Sequence, residues 1–285
     1  LGVGKYHEHA RNRLKASVYA IALKGASKFA NNTLSYGAGF QRENIYERAS
    51  QWEWRDSAGY SLPHLDDRVS VIYNQSSKQD INSNRIHGYV TDTYRLQTGA
   101  GYLTINGGVR VSYWSFNKEF LISPRASIGF VPAKNENLAF RLAGGIYYQS
   151  PFFKEYRIAV KDEYGNERIM LNKDIKSQRS VQVIAGSDFT FRAINRPFKL
   201  TAEVYYKNLT NLIPYEIDNL QIVYSGRNDS KGYVAGFDIK FFGQFVKGTD
   251  SWISFSLMRT SEMLNGVKVP RPTDQRYSFA LFFSD

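Results

Sequence analysis

Hydrophobic and polar residues alternate one by one over long stretches of this chain. In Thr33–Glu43, Leu34, Tyr36, Ala38 and Phe40 share one phase, and Ser35, Gly37, Gly39 and Gln41 the other. Tyr102–Phe116 sets Leu103, Ile105, Val109, Val111 and Tyr113 against Thr104, Asn106, Arg110 and Ser112. Leu200, Ala202, Val204 and Tyr206 oppose Thr201, Glu203, Tyr205 and Lys207, and Tyr277, Phe279, Leu281 and Phe283 oppose Arg276, Ser278, Ala280 and Phe282. A period of two predicts β-strands with one face in an apolar medium. Less regular segments at Leu14–Lys24, Asn84–Leu96, Leu121–Val131, Asn137–Gln149, Gln178–Phe191, Ser230–Gly243 and Asp250–Ser261 bring the expected total to about eleven strands. Most are as long as the ~9–11 residues that cross a bilayer at a tilt, against about five or six in a soluble sheet.

The links sort by length. Gly25–Asn32, Gln97–Gly101, Pro132–Glu136, Arg192–Pro197 and Gln244–Thr249 are short; Asn44–Ser83, Pro151–Ser177, Asn211–Asp229 and Glu262–Asp274 are long, with Asn117–Phe120 the one short link of that set. Short turns at one rim and long loops at the other characterise outer-membrane barrels, with the loops outside the cell. The charges agree: Arg110, Arg125, Arg141, Asp188, Glu203, Lys207, Asp238, Lys240 and Arg276 fall on the polar phase, while Asp92 and Arg259 break it and are expected near a rim. A charge facing lipid at mid-bilayer costs about 2–4 kcal/mol, so the polar phase belongs in a lumen. The expected fold is all-β, an antiparallel up-and-down transmembrane β-barrel. A soluble sheet predicts the same alternation but neither the strand length nor the loop parity.

Composition narrows this further. Aromatics make up 15% of the chain, yet it lacks the run of about twenty apolar residues that a membrane helix requires. The net charge of +11 comes from Lys and Arg dispersed along the chain, without a clustered phosphate footprint, so a nucleic-acid partner is not expected. With no cysteine, disulfides and thiolate chemistry fall away. No signal peptide opens the sequence, which for an exported protein places its natural start elsewhere.

Candidate chemistry is sparse. Tyr6-His7-Glu8-His9 puts two histidines on one strand face, a weak metal motif more simply read as solvated side chains. His87, on a polar face with Asp80 nearby in sequence, is the sole candidate for a hydrolytic barrel. No catalytic set, metal or cofactor is expected. Ligand recognition is expected in the long links: Trp52, Trp54, Arg55, Tyr60 and His64 in one, Phe152, Phe153, Tyr156 and Arg157 in another. Aromatic planes beside hydrogen-bonding groups suit sugars, aromatic siderophores or peptides, and equally an interfacial girdle or loops packed on themselves. Trp114, Tyr147 and Tyr148 read as girdle or rim. The inward glycines Gly37, Gly39, Gly129, Gly145, Gly186 and Gly236 read as relief for strand curvature.

Four segments resemble TonB-dependent receptor barrels, particularly those of Bacteroidetes. Arg85–Leu96 is similar to the family's "Y-x-Q-D-x-W/Y-R" strand, with Thr91 where glutamine is usual; Leu103–Arg110 to "L-T-L-N-x-G-x-R"; Ser123–Pro132 to "S-P-R-x-x-x-x-x-x-P"; and Gly145–Pro151 to "G-x-x-Y-Q-x-P". The resemblance covers essentially the whole chain. It implies that residues 1–285 are one partial barrel domain, about half of a barrel of about 22 strands, with the remaining strands, the plug and the TonB-engaging box outside this stretch. It further implies import of a scarce nutrient of the siderophore, oligosaccharide, peptide or cobalamin class. The partners it implies are outer-membrane lipid, TonB through the plug, and in some members a surface lipoprotein. A plug-less porin-like or adhesin barrel is the alternative, and an outer-membrane hydrolase a third.

Overall fold

The computed structural model describes residues 5–56, 71–163, 166–218 and 221–284. The wall consists of β1 (Lys5–Phe29), β2 (Asn32–Asp56), β3 (Val71–Thr98), β4 (Gly101–Trp114), β5 (Glu119–Pro132), β6 (Leu138–Gln149), β9 (Gln178–Ala193), β10 (Arg196–Leu212), β13 (Ser230–Gly243), β14 (Ser251–Leu264) and β16 (Tyr277–Phe282). Each pairs antiparallel with the next, so the chain runs up and down in sequence order. The outer edges of β1 and β16 carry no partner strand among the described residues, and the sheet is open there. Five small strands belong to the long links: β7 (Arg157–Lys161), β8 (Glu167–Leu171), β11 (Tyr215–Asp218), β12 (Gln221–Tyr224) and β15 (Val267–Val269).

Pairing aligns the apolar phases into horizontal rows. Leu23, Ala38, Gly88, Val111 and Ile122 form one; Ile21, Phe40, Ile86, Tyr113 and Phe120 form the next. Leu142, Ala185, Val204, Phe237, Leu257 and Tyr277 continue the same face on the other half of the sheet. Many of these side chains, among them Ile21, Phe40, Ile122, Leu142, Val204 and Leu257, are exposed to whatever lies outside the wall. From Leu103 to Tyr113 the band spans ~11 residues; at about 3.3 Å per residue and a 45° tilt this is ~25 Å, the height of a lipid-facing belt. Among the described residues no helix is long and apolar enough to cross a membrane; here the strands cross it.

The expected loop parity holds. The turns at Ala30-Asn31, Gly99-Ala100 and Ile194-Asn195 are tight, and the long links lie at the opposite rim. Ile194 and Asn195 both take a left-handed backbone (φ 54° and 58°), as a two-residue hairpin turn requires. Asn tolerates this; a β-branched residue does not do so readily. Gly101 is needed at its turn, because a Cβ there would overlap the carbonyl oxygen of Val131.

One expectation fails in an instructive place. Asn44–Ser83 reads as a loop, but β2 continues to Asp56 and β3 starts at Val71. Strands β1, β2 and β3 run 25, 25 and 28 residues, against 14 in β4 and β5. They rise far above the belt, into water, where an apolar face is not required and the alternation that marks the lower half fades. Asp92, as expected, lies on the outward phase near the short-turn rim, where the Asn32 side-chain amide donates to its carboxylate at 2.5 Å.

Candidate functional site

Above the belt the inward face of β2 and β3 carries Ile45, Glu47, Ala49, Ile81, Ser77 and Ser83, and the long links fold down upon it. Ile81, Trp114, Tyr156, Ile175 and Ile213 form a buried cluster with Ile45, Phe116, Phe153, Leu171 and Tyr224 packed around it. The rings of Phe116 and Tyr156 lie 4.6 Å apart, those of Trp114 and Phe116 5.0 Å. Edge contacts from Tyr156 to Trp114 and Phe153, both at 5.8 Å, complete an aromatic nucleus. The long links therefore make a cap with a core of its own, seated on one end of the barrel wall.

Charged side chains fasten this cap. The Arg85 guanidinium stacks 4.1 Å over Trp114 and pairs with Glu43 at 3.0 Å; Arg157 pairs with Glu47 at 3.2 Å, and Ser77 donates to the same Glu47 at 2.5 Å. Glu119, at the start of β5, accepts the Ser177 backbone N–H and hydroxyl at 3.0 and 2.6 Å. Asn228 bridges two links, donating to the Lys176 and Asn211 carbonyls and accepting from the Lys176 N–H. β8 runs parallel beside the upper part of β3, the edge that β4 leaves bare where it ends opposite Arg85. The short 3-10 helix Phe153–Tyr156 places Glu155 where it accepts from the Phe152 N–H at 3.1 Å and from Gln178 at 3.0 Å. Burial pushes the Glu155 carboxyl up, these two donors opposing it. Burial likewise raises the phenols of Tyr156 and Tyr224, with Glu43 adding to the first and Glu155 to the second.

Two recesses open on the inward side. The upper one, of about 420 Å³, lies under the cap and is lined by Tyr147, Glu155, Arg179, Leu212, Tyr215, Tyr224 and Arg271 among others. The lower one, of about 400 Å³, lies against the wall of β3–β6 and is lined by Tyr89, Asn106, Arg110, Ser123, Arg125 and Tyr147. Tyr147 belongs to both, with the Arg125 guanidinium 4.2 Å from its ring centre. It faces inward, and so does Trp114, which is 3% exposed; Tyr113 and Tyr148 take the outward phase. Their expected girdle role thus divides by parity, one member of each adjacent pair turning in.

The inward face of β1–β5 within the belt is cationic. Lys24, Lys28, Arg95, Arg110 and Arg125 point into the lumen, and among the described residues the one inward acid of β1–β5 below the row of Glu43 is Glu119, which is held by Ser177 of the cap. In the β6–β14 half part of the inward charge is paired: Arg141 pairs with Asp188 and with Glu203 at 2.9 Å, and Lys199 lies 3.4 Å from Asp188, while Lys207 and Lys240 share that face over the rings of Tyr205 and Trp252. Three inward glycines seat rings from a neighbouring strand. The His87 imidazole covers Gly39 at 2.5 Å from where a Cβ would sit, the Tyr89 ring covers Gly37 at 2.6 Å, and the Tyr205 ring covers Gly236. Close approach of a ring, rather than curvature, explains these three.

The expected ligand residues separate into two groups. Phe152, Phe153, Tyr156 and Arg157 come together in the cap: Tyr156 is 2% exposed at its core, while Phe152 remains exposed and meets Tyr224 edge-on at 5.2 Å. Trp52 and Trp54 are on the outward phase of β2, where Trp52 rests against His7 and His9 at 5.3 and 5.2 Å. Tyr60 and His64 lie outside the described residues, as does the side chain of Arg55. His87 faces the lumen and Asp80 the outside, so the sheet itself keeps that pair apart. Arg125, Tyr147, Arg179 and Tyr224 were not anticipated as site residues. Their parity was the available signal for the first two, and no local signal marks the others.

Residues 4–282 match the family described as "TonB dependent receptor-like, beta-barrel". No curated protein sequence matches the chain. Among solved structures, the outer membrane transporter YddB from Escherichia coli aligns over 96% of this chain and 40% of its own, at 14% identity and a TM-score of 0.56. The RagAB peptide transporter aligns over 95% and 32%, at 10% identity and 0.54. The siderophore receptor PirA from Pseudomonas aeruginosa aligns over 89% and 52%, at 14% identity and 0.52. At such identities the likeness is one of fold, and the chain spans about a third to a half of the length of these structures.

Proposed function

We propose, from the premise that this chain belongs to the TonB-dependent receptor β-barrel family, that it supplies wall and cap to an outer-membrane receptor importing an anionic nutrient. Residence in the outer membrane follows from the family and from the lipid-height apolar belt. In this reading residues 1–285 form one domain, part of a larger wall, and the plug that would couple to TonB lies outside this stretch. Capture takes place in the two recesses, beside Tyr147, Tyr215, Tyr224, Arg179 and Arg271 under the cap and beside Arg110 and Arg125 below it. Phe153, Tyr156 and Arg157 hold the cap in shape, and Trp52 and Trp54, on the outward phase, reach the ligand only as it approaches from outside. A surface lipoprotein above the cap is a further candidate partner.

One observation carries the choice of ligand charge: the unneutralised Lys24, Lys28, Arg95, Arg110 and Arg125 on one side of the lumen. Such a surface draws carboxylates, catecholates or phosphates towards itself and leaves neutral sugars indifferent. Ferric catecholate siderophores and acidic peptides fit; a neutral oligosaccharide fits poorly. The test is binding to the intact receptor of a ferric catecholate, an acidic peptide, a neutral oligosaccharide and a cobalamin, repeated with Arg110→Gln/Arg125→Gln. An anionic ligand bound more than tenfold more weakly by the variant supports the reading, since loss of a single charge-assisted hydrogen bond, at about 1.5–3 kcal/mol, already exceeds that factor. Tight binding of the neutral sugar, unchanged in the variant, sinks it.

A further inference from the structure

The two histidines of β1 gain a shared neighbour once the strands pair. His7 and His9 are alternate residues, so both side chains leave the outward face of the strand, on Cα atoms ~6.6 Å apart. His9 stands directly opposite Trp52 of β2, and His7 opposite Trp54. The Trp52 ring reaches both imidazoles, at 5.3 Å from His7 and 5.2 Å from His9, and lies stacked on the second. One indole thus backs both rings, while His7 and His9 themselves stay exposed. The group is clear of lipid: Trp52 stands ~40 Å along β2 from Phe40 of the belt, ~28 Å in height at a 45° tilt.

Two imidazoles side by side on one strand face can chelate. Each offers a ring nitrogen that binds a borderline ion at ~2.0–2.1 Å, and rings this close turn onto one ion by side-chain rotation alone. Among the described residues no third His, Cys, Asp or Glu joins them, so the remaining positions belong to water. A structural zinc is closed by four protein ligands. Here β1 and β2 pair continuously from Lys5 opposite Asp56 to Phe29 opposite Asn32 without such a rivet. A site with two protein ligands and open water positions is one that loads and releases its ion. With nitrogen donors and so few of them, preference follows the order in which Cu2+ exceeds Ni2+ and Zn2+, whereas Mg2+ and Ca2+ require oxygen. Arg11, the next outward residue of β1, opposes a cation only weakly, because its charge is exposed and screened. We propose that His7 and His9, backed by Trp52, form an exchangeable site for a divalent transition-metal ion, Cu2+ foremost, on the outer face of the receptor.

The test uses the intact receptor in detergent, purified without a polyhistidine tag and stripped with a chelator, and titrates it with Cu2+, Ni2+, Zn2+ and Mg2+ salts. Bound Cu2+ quenches a neighbouring indole, so the wild type should lose emission from Trp52 and Trp54 as one equivalent binds. W52F/W54F should take up the same equivalent by calorimetry without that quench. In H7Q and in H9Q the Cu2+ affinity should fall by at least the ~10–100-fold that loss of a mere supporting partner causes, and H7Q/H9Q should lose the equivalent. A readout on the wild type guards against a variant that fails to fold: at one equivalent of Cu2+, electron paramagnetic resonance should show two imidazole nitrogens bound to the ion. One such nitrogen or none overturns the proposal. So does a wild-type Cu2+ equivalent retained by an H7Q/H9Q receptor whose heat-modifiable gel migration shows a folded barrel. Displacement of Cu2+ by an equal concentration of Mg2+ overturns it as well.

Discussion

Strand β2 passes through two surroundings without changing register, and only its lower half keeps a strict alternation. Below Phe40 its outward residues are Leu34, Tyr36 and Ala38 and its inward ones Ser35, Gly37 and Gly39. Above Arg42 the outward residues are Asn44, Tyr46, Arg48, Ser50 and Trp52, and the inward ones mix Glu43 and Glu47 with Ala49 and with Ile45, which packs against the cap core. The backbone alternation is the same throughout; the medium on each side is not. In the belt lipid lies outside and water inside, and above it water lies outside and a protein core inside. Polarity along a membrane strand thus reports what each face touches, and loss of the alternation marks the level where the bilayer ends.

This contrast can be broken from either half. The cap should be the more sensitive: Trp114→Ala removes the ring on which Arg85, Phe116 and Tyr156 converge, at a cost of about 3–5 kcal/mol. Limited proteolysis should then nick residues 151–177 while heat-modifiable migration still reports a folded wall; loss of both together would show that cap and wall are one cooperative unit. Val109→Lys, in the middle of the outward belt between Val90 and Pro124, should cost about 2–4 kcal/mol and reduce the yield of inserted barrel. The same charge at Asn44, outward but above the belt, should change yield little. Equal effects at the two positions would misplace the belt. At the opposite rim, Ile194→Gly should raise stability by about 1 kcal/mol, since Ile194 is β-branched, left-handed and 85% exposed; a denaturant titration in detergent reads it. The gentlest probe is pH. Because burial raises Glu155, the folded cap favours its proton. That contribution is complete below the ordinary carboxylate range and is lost as pH rises through the raised value. Hydrogen exchange at residues 152–156, corrected for intrinsic rate, should show more opening at neutral pH than at mildly acid pH, and Glu155→Gln should abolish the difference.

The wall was legible in the sequence because each belt strand must satisfy lipid and water at once, which writes a period of two into it. Loop parity was legible for a similar reason, tight turns leaving dipeptides such as Ile194-Asn195 between long alternating runs. The upper parts of β2 and β3 were not, since Arg42–Asp56 meets water on its outward face and is free to be polar on both phases. The cap core was illegible for a different reason. Ile81, Trp114, Tyr156, Ile175 and Ile213 come from five distant stretches, and nothing local to any of them announces the others. Phe153 and Tyr156 stood out as aromatic residues in a polar link, which is equally the signature of a ligand contact and of a small core. Similarly, His7 and His9 read as solvated until pairing sets Trp52 against both.

The glycines beneath His87 and Tyr205 also govern calibre. With Gly39 and Gly236 as seats, each ring lies flat on the neighbouring strand instead of standing into the bore. A single methyl at either seat would overlap the ring and force it off the neighbouring strand towards the interior.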